Sequence, residues 1–196
     1  MQGRGARAAL LDAAVEFATV RGLSDVSLRQ MATALGTSHR MLIYHFGSKE
    51  GLLAAVVNEV ERRQRESMAA LGADASLAPD ELVRRMWRTL ADPGLWPLER
   101  LFYEVYGQAL QGRLQGTRFL DGIVESWLEP ATALGVRMGL ARRDARAWAR
   151  LGLAVVRGLL LDLLATGDRK GCDDAMGRFI ASLPAELSGG GGASAR

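Results

Sequence analysis

The side chains best suited to proton transfer or nucleophilic attack are scarce: the chain contains two histidines, His39 and His45, and one cysteine, Cys172. Acid–base catalysis by a histidine needs a nucleophile, carboxylate or metal to work on. No glycine-rich phosphate loop, nucleophile elbow, paired Cys/His set or carboxylate pair at helical spacing around a cleft residue accompanies these three. Cys172 stands beside Asp173 and Asp174 without a second cysteine, so no internal disulfide is possible and an inert thiol is expected. The expectation is therefore a protein that is no enzyme and holds no metal or cofactor. Both histidines fall instead in one short helical segment, and the elements around that segment decide what it does.

From Ala6 to Val20 the residues Leu10, Ala13, Ala14, Phe17 and Ala18 recur at three- and four-residue steps, one face of a helix, which Arg21-Gly22 closes. Ser27 opens Ser-Leu-Arg-Gln, a capping-box sequence in which the Ser27 hydroxyl and the Gln30 side chain each satisfy an orphan amide, predicting a second helix from about Leu28 to Leu35. Gly36 suits the left-handed conformation that stops a helix, and Thr37-Ser38 can cap a third at once, His39 to about His45. Gly47-Ser48 separates it from a longer helix with the stripe Leu52, Leu53, Val56, Val57 and Val60. Leu28, Met31, Ala32 and Leu35 are the packing face of helix two, with Ala32 small enough to admit helix three closely.

Beyond the turn-forming stretch Gly72 to Pro79, helices are expected over Asp80–Leu90, Leu95–Gln111 and Thr117–Met138, with Pro130 either kinking or breaking the last. Arg143–Ala165 and Asp173–Leu183 read as a helical hairpin joined by the breaker stretch Thr166 to Gly171. No alternating β pattern occurs, so the fold class is all-α with about nine helices, and Ser188–Arg196, with its four consecutive glycines, is expected to be a disordered tail. The longest apolar candidate, Leu151 to Leu164, carries Arg157 and Asp162 and is too short to span a bilayer. No signal-peptide run follows Arg4 and Arg7, and a cytoplasmic location is expected. The net charge of +3 permits a nucleic-acid partner without requiring one.

The segment Val26 to Leu53, VSLRQMATALGTSHRMLIYHFGSKEGLL, closely resembles the TetR family of bacterial repressors. Met31-Ala32, Gly36, Ser38, Leu42, His45-Phe46 and Ser48-Lys49-Glu50 all stand at that family's spacing. The resemblance implies a helix-turn-helix DNA-binding domain over residues 1–47, a helical effector-binding and dimerisation domain over 48–187, and the tail at 188–196. It implies that the start of the third helix enters the major groove of double-stranded DNA, placing His39 and Arg40 there, with Ser38, its cap, among the DNA-binding residues. Arg40 can pair with a guanine through two hydrogen bonds, and His39 can touch a base or a phosphate. Thr37, Tyr44, His45 and Lys49 look like the family's phosphate clamp, Lys49 at a helix amino end that itself favours anions. Ser27 and Arg29 match positions that meet the other strand, an N-cap serine and a solvated arginine being the alternatives. Two departures stand out: Ile43 occupies the place of the family's usual tyrosine, followed by Tyr44, and Arg40 replaces a frequently small residue.

Over residues 70–196 the resemblance is confined to the helical layout and the final hairpin. Trp87, Trp96, Phe102, Tyr103, Tyr106 and Trp127 are the candidate walls of a cavity for a small apolar or aromatic effector, ordinary core being the other reading for each. Leu153, Val156, Leu160, Leu163, Leu164, Met176, Phe179 and Ile180 are the candidate homodimer interface, with Gly152 and Gly158 permitting close contact. A twofold dimer would present two reading helices about 34–36 Å apart, hence a palindromic operator from which the effector releases the protein. The alternative is a DNA-binding regulator without a small-molecule effector, constitutive or controlled by a protein partner.

Overall fold

The computed structural model describes residues 2–23, 26–72, 77–114 and 118–184, and its described residues are helical with turns between. The helices are α1 (Gln2–Arg21), α2 (Leu28–Ala34), α3 (His39–Phe46), α4 (Lys49–Gly72), α5 (Pro79–Leu90), α6 (Trp96–Leu110), α7 (Glu125–Arg137), α8 (Arg142–Thr166) and α9 (Arg169–Ala181), with a single 3-10 turn at Pro93–Leu95 before α6. The all-α expectation holds. The expected tail at 188–196 lies outside the described residues.

The chain packs as two units, each with its own core: Met1–Gln64 with Pro93–Asp121, and Arg65–Asp92 with Gly122–Arg196. In the first unit Ala14 and Ala18 of α1, Met31 and Ala32 of α2, Leu42 of α3, Leu52, Val56 and Val57 of α4, and Leu101 and Val105 of α6 are buried together with Leu23. In the second, Leu82 and Trp87 of α5, Leu128 of α7, Val156, Leu160 and Leu163 of α8, and Met176 and Ile180 of α9 fill the interior. The α4 helix runs through both units. Glu59 on α4 pairs with Arg62 and Arg63, and the hydrogen bond from Arg62 above all holds its carboxyl down to about 2.

The starts of α7 and α9 differ from the sequence expectation. The α7 helix begins at Glu125 rather than near Thr117: residues 119–124 form turns, Gly122 takes a left-handed φ of +72°, and Phe119 and Ile123 are buried from those turns instead of from a helix face. Pro130 neither breaks α7 nor ends it, since the helix continues to Arg137. The α9 helix starts four residues early, at Arg169, because Asp168 caps it by accepting the Gly171 N–H at 2.9 Å. Gly171 thus sits in a first turn, where a helix N–H needs an outside acceptor, and the connection from α8 shrinks to Gly167-Asp168.

Candidate nucleic-acid interface

The local chemistry that builds α2 and α3 is all present. Ser27 accepts the Gln30 N–H while Gln30 Oε1 accepts the Ser27 N–H at 2.9 Å, a complete capping box. The Ser27 hydroxyl also donates to Gln30 Oε1 at 2.7 Å, so its proton is committed within the cap. Gly36, at φ +63°, makes the turn, and the Thr37 N–H donates back to Ala32 O. Ser38 then caps α3 by accepting the Met41 N–H at 3.2 Å.

The resulting α3 buries one side chain fully, Leu42, which anchors it against α2. His39, Arg40, Met41, Ile43 and Tyr44 are exposed, Tyr44 at 77%. The helix thus shows solvent an imidazole, a guanidinium, a phenol and two apolar side chains on one short run. Met41 and Ile43, not singled out as site residues from sequence, belong to this exposed set: helical periodicity alone left Met41 equally able to pack inward.

Arg29 is exposed at the start of α2 and Thr37 is half-buried in the turn. Lys49 opens α4, whose amino end is capped by Ser48 Oγ accepting the Gly51 N–H at 3.0 Å. His45 differs from the rest of the clamp set, since its Nε2 is buried without a hydrogen-bond partner and its ring packs edge-on against Tyr44 and Phe46. The junction of α3 and α4 is tight: a Cβ on Gly51 would strike the Phe46 carbonyl oxygen. Any larger residue there would push the two helices apart.

The aromatic candidates divide between the units. Phe102 contacts Tyr103 and Tyr106, and Tyr106 contacts Phe119, in one ring cluster of the first unit, where Trp96 lies under the Arg100 guanidinium. Trp87 and Trp127 belong to the second unit, Trp87 donating its indole N–H to Asp173 at 2.6 Å and Trp127 lying under Arg65. Between α4 and α6, Val57, Val60, Leu98, Leu101 and Phe102 line a void of about 10 Å³ together with Glu61, Gln64 and Glu99, room for about one water. Gln64 donates to Glu99 at 2.9 Å, and both glutamates are buried. Sequence reading passed over this acidic lining, because Glu61 and Glu99 sit in helices otherwise rich in exposed charge.

Of the candidate interface residues, Val156, Leu160, Leu163, Met176 and Ile180 are already buried within the chain, and Leu153, Leu164 and Phe179 are half-buried. Gly152 faces Phe179 at ordinary contact distance, so its small size serves the packing of α8 on α9. A different stripe of α8 is exposed: Ala147, Leu151, Ala154, Gly158, Leu161 and Ala165, at alternating four- and three-residue steps. Cys172 is buried on α9, its Sγ near Leu159 O and the Asp162 carboxylate, and burial first, then Asp162, pushes its thiol up.

Residues 10–56 match the family model described as bacterial regulatory proteins, tetR family. The chain is 31% identical over 140 residues to the HTH-type transcriptional repressor NicS of Pseudomonas putida, covering 69% of this chain and 65% of that one. It is 32% identical over 63 residues to the HTH-type transcriptional regulator BetI of Stenotrophomonas maltophilia, 32% of each chain. It thus spans less than two thirds of the length of either relative. Among solved structures, a TetR-family transcriptional regulator from Pectobacterium atrosepticum superposes with a TM-score of 0.74 at 21% identity, over 95% of this chain and 96% of that one. BioQ, solved with its natural double-stranded DNA operator, superposes with a TM-score of 0.59 at 21% identity, over 90% and 98%.

Proposed function

We propose that this chain, whose residues 10–56 match the model for bacterial regulatory proteins of the tetR family, is a TetR-family, sequence-specific, DNA-binding transcriptional repressor, not an enzyme, acting as a homodimer on a palindromic operator. The observation that carries this reading is α3, a capped helix whose one fully buried side chain is Leu42 and which offers His39, Arg40, Met41, Ile43 and Tyr44 to a partner. Arg40 reads a guanine and His39 a base or phosphate, while Met41 and Ile43 supply apolar contact of the kind a thymine methyl accepts. Arg29, Thr37, Ser38, Tyr44 and Lys49 hold phosphates, Tyr44 supplying the hydroxyl that Ile43 lacks. Ser27 contributes by fixing α2, its own proton being donated to Gln30. DNA bound to BioQ agrees with this use of the fold.

The dimer forms through the exposed stripe of α8, whose four-and-three spacing keeps Leu151, Ala154, Gly158 and Leu161 along one seam that a second copy can cover. The division of labour falls near residue 47, with reading ahead of it and effector response and dimerisation behind. A small apolar or aromatic effector enters between α4 and α6. The void there is too small for a metabolite as it stands, so entry must part the two helices. Moving α4 moves its amino end, which abuts α3 at Gly51 and Phe46, and DNA affinity falls. By reciprocity DNA weakens the effector, with coupling of roughly 1–3 kcal/mol typical of such switches. The closed void equally favours a second reading, a regulator without a small-molecule effector; calorimetry giving one ligand affinity with and without operator would decide for it.

The test is selection of genomic fragments by the purified protein, followed by salt-dependent binding to the enriched site. One enriched palindrome is expected, with Arg40→Ala relaxing specificity at one position by about 1–3 kcal/mol and Lys49→Ala weakening all sequences while lowering the salt slope by about 1. No enrichment at low salt overturns the reading.

A further inference from the structure

Arg7 on α1 lies 38 residues from His45 in sequence, yet its Nε donates to the His45 carbonyl at 3.3 Å. The same guanidinium sits over the Phe46 ring, 5.2 Å from its centroid. Both partners are in the last two residues of α3. A helix ends with carbonyls that have no partner within it and with a partial negative charge, so a cation that also donates a hydrogen bond is favoured there twice over. A guanidinium adds a third contribution, stacking its flat face on a ring, which an ammonium does less well. At this end of α3 the Gly47 N–H satisfies Ile43 O, and the Phe46 carbonyl is closed in by Gly51. Arg7 supplies what remains for His45.

We infer that Arg7 is a positioning residue for the reading helix: its clamp on His45 and Phe46 fixes the carboxyl end of α3 and thereby the aim of His39 and Arg40 at the other end. The geometry makes this consequential because α3 has so little else to hold it, Leu42 being its one fully buried side chain. An eight-residue helix is about 12 Å long, so a tilt at His45 is carried to Arg40, and paired hydrogen bonds to a base edge are lost with small misalignment. Arg7 is exposed near the amino end of α1, ahead of the buried run of that helix that begins at Ala14, so its replacement leaves the core intact.

The inference rests on the DNA-binding reading above, and its test separates the two. Arg7→Ala, Arg7→Lys, Phe46→Leu and the Arg7→Ala/Phe46→Leu double variant are measured on the selected operator and on a scrambled duplex, across salt, and amide exchange of α3 is followed without DNA. Arg7→Ala is expected to bind the operator about five- to tenfold more weakly, with scrambled-duplex affinity and salt slope unchanged. Arg7→Lys restores little of it, the double variant loses no more than the worse single one, and exchange of α3 amides rises in Arg7→Ala with no DNA present. Equal losses on both duplexes, with the slope reduced by about 1 and restored in Arg7→Lys, make Arg7 a phosphate contact only and overturn the inference. Unchanged exchange and unchanged operator affinity overturn it too, and leave the DNA-binding reading standing. A wild-type protein that selects no site sinks that reading instead, while the exchange result still decides whether Arg7 holds α3.

Discussion

The α3 and α8 helices both present unpartnered side chains to solvent, but the two faces ask for different company. Along α3 the exposed residues are an imidazole, a guanidinium, a phenol, a thioether and an isoleucine within six positions, a mixture that water satisfies partly and a grooved, charged polymer satisfies better. Along α8 the exposed stripe is alanine, leucine and glycine, with Leu151 46% and Leu161 52% exposed and no charge among its six members. A seam of that kind gains from another apolar seam and gains nothing from phosphate. The stability of the two helices differs as well. The α3 helix is held by end devices, Ser38 at its start and the Gly47 amide and Arg7 guanidinium at its finish, whereas α8 is held by side chains that pack inward on α7 and α9.

The largest test of this contrast is Leu161→Glu. A carboxylate in the centre of the α8 seam is expected to leave the protomer folded, because the position is half exposed, while converting dimer to monomer in sedimentation. Operator affinity should then fall by at least about a hundredfold as two-site binding is lost. A dimer that survives this change would move the interface off the exposed stripe. Leu163→Ala, two residues on and on the opposite, buried face of α8, should do the reverse: it lowers stability by roughly 2–5 kcal/mol in denaturant titration and leaves association intact at temperatures where the chain is folded. Equal effects of the two substitutions on assembly would erase the distinction between the faces of α8. The smallest effect belongs to a surface satisfied within its own chain. The Glu59 carboxyl is held at about 2 against an ordinary 4.5 by Arg62 and Arg63, so its contribution is complete above about pH 4.5 and is lost as pH falls towards 2. Because both guanidiniums are substantially exposed, Glu59→Gln should flatten the acid limb of the stability profile by no more than about 1 kcal/mol.

The same contrast explains what could be read from sequence. The α2–turn–α3 boundaries follow to within a residue because each is set by local chemistry at a named position: Ser27 with Gln30, Gly36, Ser38. The helix placement of α5 and α6 follows from the prolines that open them. The hairpin was legible as a hairpin, but its outward face was not. Apolar and small residues of α8 fall on more than one face, and periodicity does not say which leucine meets which; five of the eight expected interface residues are buried within the protomer itself. The start of α9 was missed because Gly171 carries the same letter as a helix breaker and, beneath the Asp168 cap, acts as a first-turn residue. The two buried glutamates beside Phe102 went unnoticed since burial of a charge-bearing side chain is a property of the packed helices, not of its neighbours in sequence.

The solitary thiol of Cys172 has a consequence for experiment. Seated on α9 beneath α8, with its acidity suppressed by burial and by Asp162, it is shielded from alkylating reagents for as long as the hairpin stays shut. With no other cysteine in the chain to compete, the rate of labelling is a built-in clock for hairpin opening, readable by mass in the intact protein without adding a probe or altering a residue.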